Sequence, residues 1–104
     1  MDKQLAERDH YYPILIALKA SGGKSEISAL KESVAALLRA NISYRTTSSG
    51  PKTMESQFDK DFNWAGKRLG DAGLLNKLRT HWELSESAKA LSIIELLRRS
   101  AIVG

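Results

Sequence analysis

Ser56, Lys60, Asn63, Lys67 and Gly70 follow one another at intervals of four, three, four and three residues, and none is apolar or acidic. On an α-helix that spacing gathers all of them on one side. A carboxamide set between two ammonium groups suits the edge of a stacked base pair: the amide donates to and accepts from adenine, while lysine reaches guanine or phosphate. A helix of roughly 10–12 Å diameter also fits a major groove about 12 Å wide. Lys77, Arg79 and His81 form a second positive group, with no acid among them before Glu83. Such a group can straddle a phosphate strand or enter a minor groove, where arginine is favoured. Tyr44, Arg45, Lys52 and Thr53 make a third, on the approach to a helix whose first N–H groups attract phosphate. Asp59 and Asp61 fall in early turns, where acids favour the helix dipole, and point sideways. Asp71 lies near the polar side and would repel phosphate, so the N-terminal half of the helix is expected to enter the groove.

Other chemistries find less support. "GGKS" at Gly22–Ser25 ends like a phosphate-binding loop, but that motif needs a glycine where Leu18 stands and a strand before it. His10 and His81 are expected at the surface in different elements, too few for a metal site. Asp59 and Asp61 diverge on a helix and make a poor acid–base pair. The expectation is a protein that is not an enzyme, with no metal and no cofactor.

The elements that must position these residues follow from pattern. Tyr12–Ala20 reads as a first helix with Pro13 in its opening turn, where no N–H is needed. "SGG" ends it, "KSEI" forms a minor edge strand, and Ser28 caps a second helix running to about Ala40, where Asn41 stops it. Leu30, Val34, Leu37 and Leu38 give that helix its apolar side. "ISYRTTSSGPK", Ile42–Lys52, reads as a loop. A third helix spans about Met54 to Ala72, and Phe58, Phe62, Ala65, Leu69 and Ala72 lie on a core stripe about 80° wide. Gly73 supplies a left-handed stop. "LLNK" and "HWEL" then pair as an antiparallel hairpin around "LRT", and Ser85 or Ser87 starts a fourth helix. Trp82 is expected in the core, and Trp64 beneath the hairpin or against a loop.

This order gives a mainly α chain with a small β-hairpin: helix, strand, helix, helix, hairpin, helix, the layout of a winged helix-turn-helix. Its projecting parts are the outer face of the third helix and the hairpin tip. The domain is expected over 11–99, with 1–10 an N-terminal extension and 100–104 a tail. The chain has 104 residues, 42% of them hydrophobic and 27% charged, which suits one modest core. A net charge of +4 favours polyanionic partners. No apolar run approaches the ~20 residues that cross a bilayer, and the first residues lack a signal-peptide core. With no cysteine in the sequence, a cytoplasmic protein without membrane association is expected.

The run "FDKDFNWAGKRLGDAGLLNKLRTHWELSESAKAL" resembles the N-terminal winged-helix domain of the Mrr-type restriction proteins. The pattern combines an aromatic residue, Trp64-Ala65, Leu69, Ala72-Gly73-Leu74-Leu75, a basic wing, and Trp82, Leu84 and Ser85 before the last helix. "YYPILIALKASGG" resembles the family's opening helix and its Gly-Gly turn. The resemblance covers roughly Tyr11 to Leu91. It implies a DNA-targeting domain of a restriction system and a reader of modified bases. Two departures stand out: the wing turn reads "KLRTH" where the family carries glycine, and the chain shows no motif of the family's separate nuclease domain.

Double-stranded DNA is the expected partner. The last helix, read as continuous, spreads Ile93, Ile94, Leu96, Leu97, Ala101 and Ile102 over about 240°, wider than one packed side needs. Either a second copy of the chain or a further C-terminal domain would cover it. The alternative reading is therefore a protein-interaction or dimerisation module without DNA affinity.

Overall fold

Two consecutive glycines with left-handed backbone, Gly22 at φ 79° and Gly23 at φ 101°, turn the chain from its first helix into its first strand. Few other residue types adopt that conformation. The computed structural model describes residues 7–40, 42–46 and 56–100. It shows a mainly helical chain with one small three-stranded antiparallel sheet. A 3₁₀ turn, Glu7–His10, leads into α1, Tyr11–Ala20, whose Ile14, Leu15 and Leu18 are wholly buried. The N–H of Gly23 closes the helix on the carbonyl of Leu18 at 2.8 Å, and its own carbonyl accepts from Leu84 N–H at 2.7 Å. One residue thus ends α1 and anchors it to the sheet.

β1, Lys24–Glu26, pairs with β3, His81–Leu84, which pairs in turn with β2, Leu75–Lys77. The expected edge strand and hairpin therefore form one sheet in the order β1-β3-β2. Side chains alternate across it. Trp82 and Leu84 point into the core, as does Leu75 opposite Leu84.

α2, Ile27–Leu38, begins one residue after Glu26 rather than at Ser28. No side chain caps it, and its first N–H, that of Ile27, donates to the Thr80 carbonyl of the hairpin at 3.3 Å. Its end comes at Arg39, left-handed at φ 52°, ahead of the expected stop at Asn41, which lies outside the described residues. The buried side is formed by Leu30, Val34 and Ala35 with Ile27 and Leu38 beside them, so Leu37 falls on its edge and is half exposed.

The segment expected as a loop carries a short helix, α3, Ile42–Thr46, held down by Tyr44. α4, Gln57–Asp71, is capped by Ser56, whose hydroxyl accepts from Asp59 N–H at 3.0 Å. Phe58, Phe62, Ala65 and Leu69 are buried as the stripe required. Ala72 is exposed instead, because it sits past the last helical residue where the chain already turns. Gly66 joins the buried side, and a Cβ there would overlap the Trp82 indole. That indole stacks on Phe62 at 4.5 Å and 14°, laying the sheet against α4. Gly73, at φ 79°, is the left-handed stop expected of it.

The hairpin turns at Arg79–Thr80, with Leu78 N–H donating to the His81 carbonyl at 2.9 Å. Arg39 is the one non-glycine residue with positive φ among the described residues, so this turn needs no glycine.

The expected last helix is two. Ser85 caps α5, Glu86–Lys89, and Ser92 starts α6, Ile93–Ser100, accepting from Glu95 N–H at 3.3 Å. Lys19 of α1 supports the break by donating to the carbonyls of Lys89 at 3.1 Å and Leu91 at 2.8 Å. Of the wide apolar spread, Leu96 is buried against α1, Ile93 and Leu97 are half-buried and Ile94 is left exposed, while Ala101 and Ile102 lie outside the described residues. Among the described residues no helix is long and apolar enough to cross a membrane.

Candidate nucleic-acid interface

Lys77 links the hairpin to the outer side of α4. Its position opposite Trp82 in the ladder puts it on the α4 face of the sheet, and its ammonium donates to the Asn63 carbonyl at 3.3 Å. The same ammonium lies 5.0 Å above the Trp82 ring. Partial burial lowers its pKa from the usual lysine value, and the nearby charge of Lys67 lowers it further, with Asp71 opposing. A cation of the helix and a cation of the hairpin therefore share one stretch of surface.

On α4 itself Lys60 and Lys67 are exposed, and Asn63 and Gly70 are half-buried. Lys67 pairs with Asp71 at 3.4 Å, an exposed contact one turn apart that a stronger anion can displace. Asp59, on the flank, is neutralised by Lys31 of α2 at 3.2 Å. Arg79 stands exposed at the hairpin turn.

Three expected contributors are used differently. Ser56 is only 3% exposed and is spent as the cap of α4, so its side chain does not join the outer face. Tyr44 turns inward: its hydroxyl donates to Asp61 Oδ2 at 2.7 Å and lies 2.8 Å from His10 Nε2, while its ring meets Phe58 edge-on at 5.7 Å. Burial pushes its phenol pKa well above the usual range, and the Asp61 carboxylate adds to the rise. Arg45 is engaged by Glu32 at 2.6 Å, which weakens its claim on phosphate. Lys52 and Thr53 lie outside the described residues. His81 points to the sheet face opposite Lys77, by the alternation of the strand, so the expected trio of hairpin cations is split.

No family model, curated protein or solved structure matches this chain. The site therefore rests on its own geometry.

Two aromatic positions depart from expectation. His10 is not at the surface but wholly buried between Tyr44 and Phe58, at ring distances of 6.0 and 5.8 Å. The packed unit accordingly begins before residue 11. Trp64 is the converse: expected beneath the hairpin or against a loop, it is 45% exposed on α4. Its angle on the helical wheel, between Lys60 and Arg68, was legible; its exposure was not.

A groove of about 350 Å³ runs along β1, lined by Lys24, Ser25, Glu26, Thr80 and His81. Its charges are of both signs, and it lies on the side of the sheet away from Lys77.

Proposed function

We propose that this chain is a double-stranded DNA-binding domain of the winged-helix type. α4 lies in the major groove, and the β2–β3 hairpin rests on the backbone or in the minor groove. The observation that supports this most is the approach of Lys77 to the Asn63 carbonyl, with Lys67 close enough to lower its pKa. Lys67 and Lys77 repel one another, Asp71 offsets part of that repulsion, and a phosphate would offset more of it. Lys60, Asn63 and Lys67 reach bases and phosphates from the helix, and Lys77 and Arg79 hold phosphate from the hairpin.

The resemblance to Mrr-type restriction proteins extends the reading to a targeting module, not itself an enzyme, that acts for a nuclease domain and senses modified bases. Anisotropy titration with matched methylated and unmethylated duplexes at several salt concentrations tests both parts. Affinity should fall steeply with salt, and a difference between the duplexes marks the modification preference. Affinity indifferent to salt removes the DNA reading.

Ile94, 63% exposed on α6, favours a second reading as a dimerisation module. That reading predicts a tight oligomer in light scattering and no salt-sensitive DNA affinity.

A further inference from the structure

α4 buries its other large apolar side chains, Phe58, Phe62 and Leu69, to 2% exposure or less, yet leaves Trp64 45% exposed. Among the described residues Trp64 stacks on no other ring, whereas Trp82 is stacked on Phe62. It sits one turn after Lys60 and one turn before Lys67, next to the Asn63 carbonyl that holds Lys77. An indole in the middle of a cationic surface has a use when the opposing surface carries an apolar group among anions.

The geometry points to Trp64 as a specificity-determining residue that reads the C5-methyl group of thymine in the major groove, an inference that rests on the DNA-binding reading above. In a duplex the base faces are stacked and closed, so an indole entering the major groove meets base edges. Those edges are hydrogen-bonding groups except for one apolar feature, the thymine methyl. The cations position the helix, and Trp64 favours thymine beneath it.

The test is competition binding with short duplexes of random sequence made with either thymidine or deoxyuridine, which differ only in that methyl. The parent protein should bind the deoxyuridine duplexes about fourfold more weakly, the loss expected for one buried methyl. Trp64→Ala should bind both alike, and Trp64→Phe should keep part of the preference. Emission from buried Trp82 reports that each variant is folded. A third pool, deoxyuridine with 5-methylcytosine, separates the two pyrimidines that can carry the group: recovered affinity means the methyl is read on either base, and continued loss means thymine alone is read. Equal affinity of the parent for the thymidine and deoxyuridine pools, with salt-dependent binding intact, overturns the role of Trp64 and leaves the DNA reading standing. Preference that persists in Trp64→Ala overturns it too. Absence of salt-dependent binding to any pool removes both.

Discussion

Gly66 of α4 and Trp82 of β3 meet with no room for a side chain: a Cβ on Gly66 would overlap Cη2 and Cζ3 of the indole. Trp82 in turn stacks on Phe62, so the ring cannot retreat without opening the core. The contact fixes how close the hairpin lies to the helix. Gly66→Ala gains about 1 kcal/mol of helix propensity. Overpacking costs about 1–3 kcal/mol and is expected to outweigh that gain. Denaturant unfolding should show a net loss of stability, with weaker DNA binding as the hairpin is displaced.

Tyr44 ties α3 to α4 and to the 3₁₀ turn through Asp61 and His10. Tyr44→Phe keeps the ring and removes the shared hydroxyl, which should cost about 1–3 kcal/mol by leaving polar groups short of a partner. The pH dependence has a definite sign. The phenol pKa is raised in the fold above its ordinary value of 10.0, so its stabilisation is complete below pH 10 and declines as pH rises toward the folded value. Urea midpoints measured from pH 8 upward should fall beyond pH 10 in the parent, and this component should vanish in Tyr44→Phe.

Lys77 has the opposite sign. Its folded pKa is lowered, so the protonated form carries a penalty below that value, and the penalty is relieved as pH rises through it. A lysine held at such a disadvantage is poorly explained by stability alone. Lys77→Met should change stability by less than about 0.5 kcal/mol, the lost contact with Trp82 offsetting the relieved repulsion. Duplex affinity should nevertheless fall, and the slope of log K against log salt should become shallower by about one phosphate contact.

Lys19 closes the gap between α5 and α6 from α1. Lys19→Met retains the aliphatic stem and removes both donors, which should cost about 1–2 kcal/mol. Hydrogen exchange should localise the change, with α6 amides losing protection before those of α4.

How much of this was legible depended on the range of the forces. The stripe through Phe58, Phe62, Ala65 and Leu69 and the stop at Gly73 were readable because helical period and backbone chirality are local. The hairpin and the strand before α2 were readable too, though their union in one sheet is a tertiary fact. α3 was missed because Ile42–Thr46 has little to make it helical except Tyr44, whose partners lie 17 and 34 residues away. The break after α5 was missed for the same reason, since the lysine supporting it is 70 residues distant from Lys89. Among the candidate site residues, Lys60 and Lys67 stand exposed as the wheel required, whereas Ser56 and Tyr44 had competing uses that no wheel displays.

The most direct measurement of the central claim is duplex DNA affinity as a function of salt for the parent and for a variant carrying Lys60→Ala and Lys67→Ala. The account predicts a steep negative slope in the parent, and in the variant weaker binding with a shallower slope by about two phosphate contacts. Identical curves for the two proteins would contradict it, because the outer side of α4 would then take no part in holding DNA.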